Sequence, residues 1–172
     1  DGLYTVVSLE GSQSSARVLG SVTKVQVGQS EGALLVEALA HPDVHLVTLT
    51  VTEKGYCLDP ATGELQEDDP SVTHDVRFPG QPRTAVGFLT ASLALRRARD
   101  LGPFTVISCD NLPENGARTR RAVASLAALQ DGELAKWIVD KVAFPSTMVD
   151  RIVPATTLED IEGLASKAGY TD

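Results

Sequence analysis

The sequence has little cysteine and little histidine, and this limits the chemistry that the chain can support. Its 172 residues contain two cysteines, Cys57 and Cys109, and three scattered histidines, His41, His45 and His74. Two cysteines provide no disulfide framework and form no Cys-x-x-Cys pair, and the histidines match no spacing typical of a metal site. We therefore expect a metal-independent protein of a reducing compartment, the cytoplasm.

Long apolar runs and an excess of basic residues are also missing. No stretch approaches the roughly 20 apolar residues that a membrane-spanning helix needs. The 15 Lys and Arg residues are outnumbered by 23 Asp and Glu, and the resulting net charge of -8 repels nucleic acid and anionic membrane surfaces. We expect neither as a partner, and the sequence predicts no oligomeric state.

The chain begins at Asp1 without a charged-then-apolar leader. We therefore expect no signal peptide, and we expect the chain to be a piece of a longer protein.

The order of the predicted elements is typical of an α/β protein. Two β-rich stretches at 3–9 and 16–27, separated by Gly and Ser, predict a hairpin. Hydrophobic periodicity and helix-end signals predict further elements in the order helix 30–40, strand 44–51, helix 84–100, strand 104–109, a helix to about 129, a helix from 131 to about 142 and a helix over 161–167. This alternation predicts a doubly wound parallel sheet with right-handed crossovers.

Two segments of this order have distinctive composition. Residues 44–51 are almost all apolar or β-branched, which predicts a strand that is buried on both faces. Residues 52–83 contain three glycines, four prolines and an acidic patch at 67–69. We expect this second segment to be a long irregular loop, of the functional or mobile kind.

Ligands of doubly wound sheets lie beyond the carboxyl ends of the strands. This rule places two loops at one site, since Thr52 and Glu53 follow the first long strand and Asp110 and Asn111 follow the second. We therefore expect these four residues to bind a cofactor. For Asn111 two interpretations stay open, because its amide either faces a ligand or caps the helix that begins near Pro113.

Asp150 is the second candidate for a catalytic role. It lies between Val149 and Arg151, in a segment whose other residues are mostly of buried types. Burying a carboxylate costs several kcal/mol unless it is paired or used. Two interpretations stay open here as well: an ion pair with Arg151 or Arg118, or a residue of the functional site.

Residues 142–154, together with Ser-Cys-Asp-Asn at 108–111, resemble the mannitol dehydrogenase family. The family signature has an aromatic residue or Ser, a small residue three positions on, then Val-Asp-Arg, a branched aliphatic, any residue, and Pro or Ser. Its terms are met by Phe144, Thr147, Val149, Asp150, Arg151, Ile152 and Pro154. These long-chain polyol dehydrogenases interconvert sugar alcohols or aldonates with ketoses or keto-uronates, such as mannitol with fructose or mannonate with fructuronate.

The resemblance implies a fold, a cofactor and residue roles. It implies that residues 1–172 are part of the N-terminal Rossmann-like, NAD(P)-binding domain of a larger two-domain dehydrogenase. Hydride would pass between NAD or NADP and the sugar without a metal. Asn111 would be one of two amide donors to the developing alkoxide, and Asp150 would line the substrate site and help to move protons through ordered water. Glu53 is a weaker candidate for the same proton network.

Two motifs of the family do not occur in the sequence. There is no Gly-x-Gly-x-x-Gly turn, and none of the five lysines is followed by Asn five residues later and His three beyond it. We therefore expect a central fragment with an incomplete Rossmann-type sheet, lacking the dinucleotide-binding turn and the C-terminal helical substrate domain, and inactive on its own. The alternative is a truncated relative that serves as a non-catalytic interaction module.

Overall fold

A computed structural model describes residues 2–10, 13–149 and 155–168. The chain divides into two compact units, one formed by residues 27–150 and the other by the terminal segments 1–26 and 151–172. The strands are β1 (Tyr4–Glu10), β2 (Gln13–Leu19), β3 (Leu46–Leu49) and β4 (Thr105–Ser108). The helices are α1 (Gly28–Leu39), α2 (Pro70–Arg77), α3 (Ala85–Ala98), α4 (Asn115–Gln130), α5 (Gly132–Lys141) and α6 (Leu158–Ala168).

The terminal unit contains the predicted hairpin. Strands β1 and β2 pair antiparallel, with Tyr4 opposite Leu19 and Glu10 opposite Gln13. The second strand ends at Leu19, earlier than expected, because residues 20–27 have no regular structure. Helix α6 begins at Leu158, before the expected residue 161, with a reciprocal cap in which Thr157 N donates to Asp160 Oδ2 (2.8 Å) and Asp160 N donates to Thr157 Oγ1 (3.2 Å).

The central unit has the predicted alternation of helix and strand. Strands β3 and β4 are parallel neighbours, with Leu46 opposite Thr105 and Leu49 opposite Ser108. The chain between them contains α2 and α3, and a crossover connection of this kind is what parallel pairing requires. Its first turn is capped by Thr84, whose Oγ1 accepts from Gly87 N at 2.8 Å. The apolar core is built mainly from α3, β4, α4 and α5 and includes Leu89, Leu93, Phe104, Val106, Leu126 and Ile138.

Strand β3 is less buried than its composition predicts. Val47 is buried in the core, whereas Leu46 is 52% exposed. In the part of the chain that the structure describes, β4 is the only strand paired with β3. The expectation of burial on both faces is therefore wrong for this strand, because burial alternates along it with the period of two that a single covered face produces.

Segment 52–83 is more ordered than expected. It contains a 3₁₀ turn at Glu53–Tyr56 and helix α2. Asp69 caps this helix, since its Oδ1 accepts from Ser71 N at 2.7 Å and from Val72 N at 3.2 Å, and Pro70 occupies the first turn. The prediction of an irregular loop overlooked this Asp-Pro signal for the start of a helix.

A buried arginine ties together the loops at the amino end of the β3–β4 sheet. Arg96 on α3 is 4% exposed. Its Nη1 donates to the carbonyls of His41 (2.7 Å) and Val44 (3.0 Å), and its Nε donates to the Gly102 carbonyl (2.6 Å). The guanidinium carbon lies 5.6 Å from the ring centre of Phe104. The loops that precede β3 and β4 are thus held by one side chain, and burial lowers the pKa of that arginine.

Candidate functional site

The carboxyl ends of β3 and β4 lie side by side. The last paired residues are Leu49 and Ser108, and Cys109 N donates to the Leu49 carbonyl at 2.7 Å just beyond them. Thr52 follows the first of these strand ends by three residues, and Asn111 follows the second by the same number. Both predicted loops therefore leave the sheet at the same edge.

Three of the predicted site residues are exposed at this edge. Thr52, Glu53 and Asn111 are exposed, and within the described ranges their side chains have no hydrogen-bonding partner. Helix α4 begins only at Asn115, after Glu114 in a left-handed conformation, and has no side-chain cap. The capping interpretation of Asn111 is therefore wrong, and its contact with a ligand remains a prediction.

Asp110 differs from its neighbour because the chain itself occupies its carboxylate. Oδ1 accepts from Leu112 N (2.9 Å) and Asn115 Nδ2 (3.0 Å). Oδ2 accepts from Ser108 Oγ (3.0 Å) and from the Tyr56 hydroxyl. These bonds give Asp110 a structural role in the turn, and its contact with a cofactor remains a prediction.

The Tyr56–Asp110 contact connects the two loops electrostatically. Burial, and secondarily the neighbouring Asp110 carboxylate, raises the pKa of Tyr56 to about 12. Burial works to raise the pKa of Asp110, but hydrogen bonds from Tyr56, the Leu112 amide, Asn115 and Ser108 outweigh it and lower that pKa below its ordinary value. Near neutral pH the pair is therefore a charged carboxylate and a neutral phenol, which is the combination that their hydrogen bond requires.

Asn115 is a residue of this site that sequence reasoning missed. It is fully buried. Its Oδ1 accepts from Thr147 N at 3.0 Å, and its Nδ2 lies 3.0 Å from the Thr147 carbonyl, 3.2 Å from the Asp110 carbonyl and 3.3 Å from the Ser108 carbonyl. Because the amide has two N–H groups, it shares them among these acceptors. Asn115 thus joins the end of β4, the turn that carries Asn111, and residues 142–154, which we call the signature segment.

The signature segment packs closely on the start of α4. Gly116 N donates to Ser146 Oγ at 3.3 Å, and the Thr147 hydroxyl donates to the Ser108 carbonyl. A Cβ atom at Gly116 would lie 2.3 Å from the Phe144 carbonyl oxygen. Glycine is therefore needed at 116, since any side chain would displace the backbone of the segment. The Asn-Gly pair at 115–116 was the available sequence signal.

The predicted role of Asp150 lies outside the described residues, as does its partner Arg151. The described part of the segment ends at Val149, two residues beyond the contacts of Thr147. Arg118, the other proposed partner, donates from Nε to the Pro113 carbonyl at 3.1 Å. The expected convergence of Asn111 and Asp150 therefore remains a prediction.

Among the residues with assigned positions, no group of three His, Cys, Asp or Glu side chains is arranged to bind a metal ion, and no helix is long and apolar enough to cross a bilayer. A cleft of about 620 Å³ lies between α1, α2 and the loop before α3, lined among others by His74, Arg83 and Phe88. It contains none of the predicted site residues.

Comparison with known proteins gives consistent similarities. A family model described as the mannitol dehydrogenase Rossmann domain matches residues 1–168. The chain is 47% identical to the uncharacterized oxidoreductase YdfI of Escherichia coli, over 100% of the chain and 36% of that protein. It is 42% identical to D-mannonate oxidoreductase of E. coli, over 99% of the chain and 35% of the relative.

A solved structure is similar over nearly the whole chain. Mannitol 2-dehydrogenase of Pseudomonas fluorescens, in a ternary complex with NAD and D-mannitol, superimposes with a TM-score of 0.91 at 41% identity. The match covers 96% of this chain and 34% of that one. The chain thus spans about a third of the length of the relatives that it matches.

Proposed function

Because the chain belongs to the mannitol dehydrogenase family, whose Rossmann-domain model matches residues 1–168, we propose that it is part of the NAD(P)-binding domain of a metal-independent polyol or hexuronate oxidoreductase. The whole protein transfers hydride between the nicotinamide cofactor and a sugar alcohol or aldonate. The observation that carries the proposal is the similarity to the P. fluorescens enzyme solved with NAD and D-mannitol. The similarity to D-mannonate oxidoreductase supports mannonate and fructuronate as a second candidate pair of substrates, alongside mannitol and fructose.

The edge formed by the ends of β3 and β4 suits a cofactor and its substrate. Thr52 and Asn111 are exposed there, and their side chains make no bond to the described chain. The negative charge of Asp110 beside them is already satisfied by hydrogen bonds within the protein. Thr52, Glu53, Asp110 and Asn111 are therefore the residues on this fragment that would hold the cofactor, and Asp110 also supports the turn. When bound, the nicotinamide ring supplies or accepts the hydride.

Asn111 and Asp150 carry this fragment's share of the chemistry. Asn111 donates its amide N–H to the substrate oxygen, where negative charge develops as a carbonyl becomes an alkoxide. Asp150 lines the substrate site and exchanges protons with ordered water, with Glu53 as a further member of that network. Tyr56 and Asn115 hold the backbone of the turn that carries Asn111, so that this turn is in place before the substrate binds. We place the protein in the cytoplasm, as its two free cysteines suggest.

Oxidation and reduction assays of the full-length protein test this proposal. We expect turnover with mannitol and NAD(P), or with fructuronate or tagaturonate and NAD(P)H, followed by nicotinamide absorbance. Parallel assays with both nicotinamides decide which one is preferred. Absence of turnover with all three substrates would instead favour the non-catalytic interaction module.

A further inference from the structure

We propose that Asn115 is a positioning residue that holds the backbone of the turn carrying Asn111 and fixes the signature segment against the end of β4. The inference rests on the proposed function, in which Asn111 donates to the substrate oxygen. Asn115 itself is fully buried, so it acts through its hydrogen bonds rather than by touching the substrate.

The first step of the argument is the peptide bond between Asp110 and Asn111. The Asp110 carbonyl, which accepts from Asn115 Nδ2 at 3.2 Å, belongs to the peptide plane that carries the N–H of Asn111. The same nitrogen lies 3.0 Å from Asp110 Oδ1. Asn115 therefore restrains the peptide plane that contains the N and Cα atoms of Asn111. Asn111 has no side-chain contact of its own within the described ranges, so its side chain is placed through this restraint on its backbone.

The second step is the pairing of Asn115 with Thr147. The side-chain amide accepts from Thr147 N at 3.0 Å and approaches the Thr147 carbonyl at 3.0 Å. An acceptor and a donor are thus presented to one residue, as a neighbouring strand would present them. Thr147 lies 32 positions along the chain from Asn115, so local structure does not supply this contact.

The third step is that few side chains satisfy all these partners. The site needs one acceptor for the Thr147 amide and donors for the carbonyls of Ser108, Asp110 and Thr147. Alanine offers neither, and a carboxylate offers the acceptor but repels the carbonyls and the Asp110 carboxylate. A protonated carboxyl group offers one donor and one acceptor, and so restores part of the pattern.

Three variants of the full-length protein test the role of Asn115. We expect Asn115→Ala to lower kcat on the order of 10- to 100-fold, since small displacements of a catalytic group have effects of this size. Leu126→Ala is the matched control, because Leu126 is 1% exposed on the same helix but lies in the apolar core away from the turn. The control should lower the unfolding midpoint at least as much and keep kcat.

The Asn115→Asp variant separates positioning from folding. The introduced carboxyl group would be buried beside Asp110, with Tyr56 as the next titratable group, and these surroundings raise its pKa. We therefore expect the kcat of Asn115→Asp, divided by that of the wild type, to rise as the pH falls through the raised pKa. A ratio that stays flat with pH in a folded protein would overturn the inference. This variant also decides the question if Asn115→Ala does not fold.

Hydrogen exchange provides a readout that does not depend on activity. The Thr147 amide donates to Asn115 and the Gly116 amide donates to Ser146, so both should lose protection in Asn115→Ala and keep it in Leu126→Ala. Unchanged protection in Asn115→Ala would overturn the inference, as would lost protection with unchanged kcat.

Failure of the proposed function is a separate outcome. If the wild type turns over none of the three substrates, the proposed function fails, and the exchange experiment alone decides whether Asn115 fixes the signature segment.

Discussion

The two ends of the β3–β4 sheet use the same device for different purposes. At the amino end, buried Arg96 donates to three backbone carbonyls from two loops. At the carboxyl end, buried Asn115 does the same for the β4 turn and the signature segment. Only the carboxyl end also presents Thr52 and Asn111, exposed and without side-chain partners among the described residues. A buried polar side chain therefore stabilises both ends, but at one of them it also supports exposed residues that we propose to bind the cofactor and the substrate.

The largest expected effect is on catalysis at the carboxyl end. We expect Asn111→Ala in the full-length enzyme to lower kcat about 100-fold or more, since loss of one preorganised donor to a developing oxyanion typically has that effect. The unfolding midpoint should not change, because the side chain is exposed and unpaired in the described structure. Steady-state kinetics and thermal unfolding of the same preparation measure both quantities.

The matched control for Asn111→Ala is Glu114→Asn in the same turn. Glu114 is exposed and adopts φ 56°, a left-handed conformation that asparagine tolerates. Turnover should survive this change. If Asn111→Ala also retained wild-type kcat, Asn111 would not be the donor, and the exposed groups at this end would need another role.

The amino end should show the reverse pattern, with a loss of stability and no loss of kcat. Arg96→Met removes donors from three carbonyls, and we expect the free energy of unfolding to fall by about 2–3 kcal/mol, as for loss of buried hydrogen bonds to a charged group. Chemical denaturation measures this change. Arg97→Met is the control, because Arg97 forms an exposed ion pair with Asp131 at 3.2 Å, and such a pair contributes about 0–1 kcal/mol. If both variants lost the same free energy of unfolding, burial of Arg96 would not account for its contribution to stability.

The sequence predicts the parallel strands and the residues at their carboxyl ends, because these features follow from local pattern. The β-branched run around Val47 and the apolar strand around Val106 predict parallel strands, and the rule for strand ends places Thr52 and Asn111 at one edge. The structure has this arrangement, and the family resemblance is confirmed over residues 1–168. Such features need only the order and periodicity of neighbouring residues, which a single sequence contains.

The supporting side chains could not be predicted in the same way, because their partners are far away in the sequence. Tyr56 contacts Asp110 across 54 positions, and Arg96 contacts the His41 carbonyl across 55. Nothing in the residues around Arg96 distinguishes it from Arg97, although one is buried and the other half-exposed. Tertiary packing decides between them, whereas composition suggests only a cationic helix end.

The smallest expected effect concerns Tyr56, which connects the two loops of the carboxyl end. Tyr56→Phe removes the hydroxyl that donates to Asp110, and we expect a loss of about 1–2 kcal/mol in the free energy of unfolding near neutral pH. Because folding raises the pKa of Tyr56 to about 12, its contribution is fully present below the unfolded value of about 10 and declines as the pH rises through 12. The difference in the free energy of unfolding between wild type and variant, measured by chemical denaturation, should therefore be constant from pH 7 to 9 and shrink at higher pH.

The control is Tyr4→Phe, at a tyrosine that is 41% exposed in the hairpin. This variant should change neither the free energy of unfolding nor its dependence on pH. A Tyr56 difference that grew above pH 10 would contradict the buried phenol–carboxylate bond, and with it the view that this bond holds the two loops of the carboxyl end together.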